Sequence, residues 1–176
     1  GTIWAVWRLS ATADGRWWLV AGAFLGLAWL GKYSGALLCP IVLIYLLTSP
    51  RQRFWLAKPH PYLAFLLAIM VFSPVLIWNF QHDWVSLAFQ SSRRLNEMGG
   101  FKPRYFLMLV VQQFVIVTPY LFVVSIASLV REFRGWLTGG IDDSVRLLLI
   151  SAAVPLLLFT AISFRSIVKI NWLAPA

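Results

Sequence analysis

The sequence predicts an all-α membrane protein, a polytopic bundle of transmembrane helices with about five membrane segments. Of the 176 residues, 60% are hydrophobic and only 12% are charged, and the mean hydropathy is +0.78. Soluble domains carry about 25% charged residues, so this chain has too few polar side chains to cover a water-facing surface. Aromatic residues make up 16% of the chain and include ten Trp, which suits rings seated at membrane–water interfaces.

Five runs without charged residues, counting His as neutral, set the expected helices. A helix rises about 1.5 Å per residue, so a hydrocarbon core of about 30 Å requires roughly 20 residues. We expect helices at residues 17–31, 35–48, 61–78, 105–130 and 147–164. The first two are short and flank Lys32 inside a Gly-Lys-Tyr-Ser-Gly turn, so we interpret them as a hairpin. The alternative is one long tilted helix that buries this lysine.

Small residues and prolines predict how these helices pack and bend. Gly22 and Gly26 have the spacing that lets two membrane helices approach closely. Proline removes a backbone hydrogen bond and kinks a helix, and neighbouring helices can satisfy the freed carbonyl. The prolines inside the apolar runs are Pro40, Pro74, Pro119 and Pro155.

The net charge of +9 is divided almost evenly between two membrane faces. Face one comprises residues 1–16, 51–60 and 131–146. Face two comprises the turn at Lys32, the loop 79–104 and the tail 165–176. Because Lys and Arg are nearly balanced, the positive-inside rule does not orient the chain. If face two is the outer face, binding of an anion, such as a phosphorylated lipid, is the simplest reason for its cations, and nucleic acid is not an expected partner.

The residues that can bind a substrate lie on face two. In the segment from Trp78 to Trp84, aromatic rings can stack on a sugar, and amide and imidazole groups can hydrogen-bond its hydroxyls. Paired Arg side chains can clamp a phosphate, and a Lys at membrane depth requires a partner. The candidate substrate-binding residues are Lys32, Asn79, Gln81, His82, Arg93, Arg94, Lys169 and Asn171. The alternative is an interfacial loop that two Trp rings anchor and water solvates.

The sequence does not indicate a metal or a cofactor. It contains no zinc-ligand spacing, no P-loop and no dinucleotide-binding fingerprint, so we expect no metal site. Asp83 and Glu97 are the only acids on face two, and their separation along the loop gives no geometric reason to pair them. We therefore assign no catalytic residue in residues 1–176.

Three stretches resemble the dolichyl-phosphate-mannose-protein mannosyltransferase-like glycosyltransferases, relatives of the aminoarabinose transferases of lipid A. These stretches are GAFLGLAWLGKYSGALL (22–38), PVLIWNFQHDWVS (74–86) and KINWLAPA (169–176). The resemblance implies a GT-C fold and a multi-pass enzyme of the bacterial inner membrane. It also makes face two extracytoplasmic, including the loop 79–104 and the tail 165–176. It also implies transfer of a sugar from a polyprenyl-phosphate carrier to a periplasmic glycan, lipid or protein acceptor.

The same resemblance implies that the chain is one partial transmembrane domain, 1–176. In this family the catalytic acid lies in the first periplasmic loop, and no segment here matches that loop. The chain begins with Gly rather than Met and ends at Ala-Pro-Ala just after a polar loop, so we interpret it as an internal fragment. Because nothing in it matches that loop, we expect it to be inactive alone. A divalent metal in the missing part is not readable from these residues.

Two other functions remain open. A transporter or flippase for a lipid-linked anion would show the same basic face and kinked helices, with polar pairs at mid-membrane in several helices. Here only Lys32 and the pair Gln112–Gln113 qualify, which is fewer than that function would require. A structural membrane subunit would not require the polar-aromatic segment 78–84.

Overall fold

The computed structural model describes residues 1–89 and 100–167, and in these ranges the chain is helical and contains no strand. The α-helices are α1 (Thr2–Thr12), α2 (Arg16–Gly31), α3 (Leu38–Thr48), α4 (His60–Gln81), α5 (Pro103–Ile116), α6 (Pro119–Leu137) and α7 (Asp143–Ser163). Short 3₁₀ helices cover Tyr33–Leu37 and Arg53–Ala57, and a helical segment covers 85–89. The all-helical class that the composition predicts is confirmed for these residues.

The tightest packing in the bundle joins α2 to α4 along a line of small residues. A Cβ added at Gly22 would overlap the backbone carbonyl of Ala64. A Cβ added at Gly26 would lie 2.6 Å from the Val71 Cβ and 2.8 Å from the Ala68 carbonyl oxygen. Because these contacts follow the two chains in the same direction, α2 and α4 run parallel and end on the same side of the bundle.

The chain reverses direction between α2 and α3. Lys32 leaves the helix in an extended conformation (φ −159°, ψ 132°), and the 3₁₀ helix Tyr33–Leu37 leads into α3. After α3 the ring of Trp55 lies edge-on to Trp18 at the start of α2, with ring centroids 6.1 Å apart. The structure therefore contains a hairpin at Lys32 rather than one long helix.

The apolar run 105–130 differs from the single helix that the sequence analysis expected. Two helices, α5 and α6, meet there at an angle of 113°. The break lies at Thr118, whose φ of 64° is outside the helical region. Pro119 follows as the first residue of α6, where its missing N–H removes no helical hydrogen bond. Proline thus starts a new helix here instead of kinking a continuous one.

The number of helices long enough to cross a membrane is smaller than the five segments expected. Among the described residues, α4 and α7 meet the requirements of length and composition, with 22 and 21 residues, and the bent pair α5–α6 would make a third. The reason lies at the hairpin, since α2 has 16 residues and α3 only 11. Neither reaches the roughly 20 residues that a full crossing takes.

The main core lies on face one and includes a helix that the sequence analysis treated as connecting segment. In α1 the side chains of Ala5, Val6 and Leu9 are at most 1% exposed and pack in the same cluster as residues of α2, α3 and α7. Their spacing is that of one helix face. Residues 2–12 are therefore part of the bundle rather than a loop.

A leucine at the α2–α4 contact tests this packing. Gly22→Leu places a branched side chain against the Ala64 backbone, which cannot move aside as a side chain can. We expect a lower free energy of unfolding by about 2 kcal/mol or more. The measurement is thermal unfolding of the purified protein in detergent.

Gly31→Leu is the matched control, because a Cβ at Gly31 meets no atom within 4 Å. It should unfold close to the wild-type temperature. Equal unfolding temperatures for the two variants would show that the α2–α4 contact is not as close as described.

Candidate functional site

The fold gathers the described segments of face two at one end of the bundle. Because α2 and α4 run parallel, Lys32 and the turn after α4 emerge on the same side. A hydrogen bond of 2.7 Å joins the Tyr33 hydroxyl to Ser86 Oγ across these two segments. On the same face, the backbone N–H of Lys102, before α5, donates to the carbonyl of Phe164, after α7.

Asn79 is the buried centre of the turn that follows α4. Its side chain is 0% exposed, and Nδ2 donates to the Val75 carbonyl at 2.9 Å. The backbone carbonyl of Asn79 accepts hydrogen bonds from the backbone N–H groups of His82 and Trp84, at 3.1 and 2.8 Å. No hydrogen-bond partner for Oδ1 lies within the residues that the structure describes. Asn79 therefore stabilises the turn from inside the fold, and its buried side chain cannot contact a ligand in this conformation.

The same turn contains two consecutive residues with left-handed backbone. Asp83 has φ of 51° and Trp84 has φ of 57°. Asp tolerates this region, but a bulky aromatic residue is uncommon there and costs on the order of 1–3 kcal/mol. Strain of this kind persists where the surrounding structure enforces it and is concentrated at functional sites. The turn is thus held in a defined shape rather than relaxed.

His82 and Trp78 form an exposed pair beside this turn. The imidazole stacks on the indole with ring centroids 4.3 Å apart and planes 13° from parallel. His82 Nδ1 lies 2.8 Å from the Trp78 carbonyl oxygen, so this contact fixes the ring. Gln81 is exposed next to the pair. Together they present a flat aromatic surface with polar atoms at its edge, which suits the apolar face and the hydroxyls of a sugar.

The remaining candidates divide between described and undescribed residues. Lys32 is half-buried at the end of α2, next to the Tyr33–Ser86 hydrogen bond. Arg93, Arg94, Lys169 and Asn171 lie outside the described residues. The structure therefore brings Lys32, Asn79, Gln81 and His82 to one end of the bundle, and the candidate status of the other four stays a prediction.

Sequence reasoning missed a buried polar cluster on face one, where Arg146 was treated as a loop charge. Arg146 is 8% exposed, and its Nη1 donates to the Thr48 carbonyl at 2.6 Å. Ser49 Oγ donates to Asp143 Oδ1 at 2.6 Å, and the guanidinium lies over the Trp136 ring at 5.6 Å. The i,i+3 spacing of Asp143 and Arg146 at a helix start was the available signal. The cluster joins α3, α6 and α7 and acts as a structural clamp.

The described residues contain no group of three or more His, Cys, Asp or Glu side chains that could hold a metal ion.

An isosteric substitution that introduces a charge tests the burial of Asn79. Asn79→Asp places a carboxylate where no solvent reaches, and we expect a loss of stability of about 3 kcal/mol or more. Gln81→Glu makes the same chemical change at an exposed position two residues away and should leave the unfolding temperature nearly unchanged. Comparison of the two thermal unfolding curves decides the matter, because similar curves would place Asn79 at the surface.

Comparison with known proteins agrees with the resemblance that the sequence showed. The sequence model of the dolichyl-phosphate-mannose-protein mannosyltransferase family matches residues 1–78, which run from α1 into the last turns of α4. No curated protein and no solved structure matches the chain significantly. The match contains the hairpin at Lys32 and the α2–α4 contact, and it ends at Trp78, one residue before Asn79. Residues 1–78 therefore carry the sequence pattern of the dolichyl-phosphate-mannose-protein mannosyltransferase family of membrane glycosyltransferases.

Proposed function

We propose that the chain forms part of a membrane glycosyltransferase that moves a sugar from a polyprenyl-phosphate carrier to a periplasmic acceptor. The observation that carries the proposal is the family match over residues 1–78, the segment whose helices α2 and α4 end together on face two. In this proposal face two is periplasmic, the protein lies in the bacterial inner membrane, and the segments counted in the sequence belong to a GT-C fold.

The proposed chemistry assigns three of the face-two cations to the leaving group. When the bond between the sugar and the carrier phosphate breaks, negative charge develops on the phosphate oxygen. Lys32, Arg94 and Lys169 would stabilise that charge in a site with few competing waters. The acceptor hydroxyl attacks the sugar carbon, and a carboxylate outside residues 1–176 takes its proton.

The stacked pair Trp78–His82 is the proposed sugar contact. An exposed aromatic surface binds the apolar face of a pyranose, and the polar edge atoms of His82 and Gln81 can hydrogen-bond its hydroxyls. The contact between His82 Nδ1 and the Trp78 carbonyl supports this role, because it holds the imidazole stacked on the indole before the substrate arrives. Asn79 contributes by holding the turn and not by direct contact.

A second candidate function, transport of a lipid-linked anion, is favoured by the broken helix pair α5–α6. Broken helices at membrane depth supply ion and substrate sites in transporters. The break at Thr118 follows Gln112, whose buried Oε1 has no hydrogen-bond partner among the described residues. A transporter would carry the intact sugar-linked carrier across the bilayer, whereas a transferase breaks the sugar–phosphate bond.

A charge-removal series in the full-length protein tests the transferase proposal. Lys32→Gln, Arg94→Ala and Lys169→Ala should each lower transfer from a lipid-phosphate donor by about tenfold or more, because each removes charge stabilisation from the leaving phosphate. Lys58→Gln, an exposed lysine on face one, is the control and should keep wild-type transfer. Lys32→Arg should restore part of the activity, since it restores the charge.

The measurement is turnover of radiolabelled donor by protein that elutes as a single folded species. Wild-type turnover in all three variants would remove the role of these cations at the phosphate.

A further inference from the structure

A compact group of basic and aromatic residues surrounds the start of α5 on face two. It consists of Lys102, Arg104, Tyr105, Phe164 and Arg165, and we refer to it as the basic patch. The three cationic residues are exposed, and none of them is one of the candidate substrate-binding residues.

Two contacts hold the basic patch together. The backbone N–H of Lys102 donates to the Phe164 carbonyl at 2.7 Å. Lys102 therefore lies beside Phe164, the residue that precedes Arg165. The Phe164 ring stacks between two rings of the α5 segment, with centroids 5.5 Å from Phe101 and 5.0 Å from Phe106. The ends of α5 and α7 are thus fixed against each other.

Two of the cationic side chains lie close to the same aromatic ring, that of Tyr105. Lys102 Nζ lies 5.7 Å and Arg104 Cζ lies 5.0 Å from the centre of the Tyr105 ring. Arg104 Nη2 also donates to the Tyr105 hydroxyl at 3.3 Å. Within residues 1–89 and 100–167, no carboxylate forms an ion pair with Lys102, Arg104 or Arg165. These positive charges are therefore held close together without an ion-pairing carboxylate from the described residues.

The position of these cations on α5 adds to the positive potential. The first turn of a helix carries unpaired N–H groups and a partial positive charge, so acidic residues are favoured there and basic ones are not. The first turn of α5 has no acidic residue, and Lys102 and Arg104 flank its first residue, Pro103. Basic residues at this helix start are therefore electrostatically unfavourable in the free protein, and a bound anion would offset the repulsion.

We propose that the basic patch binds the phosphate of an anionic glycerophospholipid in the surrounding bilayer. The location favours a bilayer lipid, because Arg165 lies two residues after the end of α7, one of the helices long enough to cross a membrane. Phe101 is 70% exposed beside the cations and supplies an apolar surface for the acyl chains below the headgroup. Cations next to interfacial aromatic rings have the charge and the depth to bind such a lipid. This inference rests on the membrane location alone and holds whether or not the transferase proposal is correct.

Lipid binding to the full-length protein in nanodiscs tests the inference. The probes are phosphatidylglycerol and phosphatidylcholine, and the readout is retained lipid by native mass spectrometry together with the unfolding temperature. The patch variant carries Lys102→Gln, Arg104→Gln and Arg165→Gln. We expect it to bind phosphatidylglycerol at least about tenfold more weakly than the wild type, with phosphatidylcholine retention unchanged.

The matched control carries Arg51→Gln, Lys58→Gln and Arg134→Gln, which remove the same charge from exposed residues of face one. It should keep the wild-type preference for phosphatidylglycerol. Unchanged preference in the patch variant, or an equal loss in the control, would overturn the inference. Loss of phosphatidylglycerol binding with sugar-carrier binding intact supports a bilayer lipid, whereas loss of carrier binding alone would assign the patch to the donor and overturn it.

If the triple variant does not fold, Arg104→Gln and Arg165→Gln are measured singly, because neither changes the Lys102–Phe164 backbone contact. Each should weaken phosphatidylglycerol binding by a smaller factor, and wild-type binding in both would contradict the inference.

Discussion

The close contact between α2 and α4 is the constraint on which the candidate site depends. Two parallel helices approach so closely at Gly22 and Gly26 that any side chain there would meet backbone or the Val71 side chain. This contact fixes the rotation and the register of both helices. It therefore decides that Lys32, at the end of α2, lies on the same side as the turn around Asn79, at the end of α4. The Tyr33–Ser86 hydrogen bond is a consequence of that register, because it joins the two segments that continue beyond the helices.

The two ends of the bundle are built for different purposes. On face one, Arg146 is buried, bonded to the chain at the end of α3 and covered by Trp136, so that end resists rearrangement. On face two, the rings of Trp78 and His82 are exposed and the backbone at Asp83 and Trp84 is held in a left-handed conformation. A rigid end opposite a strained, accessible one is the arrangement expected of a site positioned by a scaffold. The family match covers α1, α2, α3 and nearly all of α4.

The parts of the structure that follow from local chemistry were predictable, and the parts that depend on packing were not. Composition predicts helices, the Gly-Lys-Tyr-Ser-Gly turn predicts the reversal at Lys32, and the spacing of Gly22 and Gly26 predicts a close helix contact. Pro119 signalled a disturbance, but it did not predict the positive φ at Thr118 or the 113° bend that divides this run into α5 and α6. Asn79 illustrates the limit for the site, because a polar residue at a helix end can face a ligand or hold a turn. Only its burial distinguishes the two, just as only burial distinguishes Arg146 from a loop charge.

We propose that this end of the bundle belongs to an enzyme that breaks a sugar–phosphate bond. The most direct measurement uses the full-length protein in sealed proteoliposomes with a polyprenyl-phosphate carrier labelled in both the sugar and the lipid. We expect the sugar label to appear on a periplasmic-type acceptor while unglycosylated polyprenyl phosphate accumulates on the same side of the membrane. If the doubly labelled carrier instead crosses the bilayer intact, with no free polyprenyl phosphate formed, the transferase proposal is wrong and transport is the function that the measurement supports.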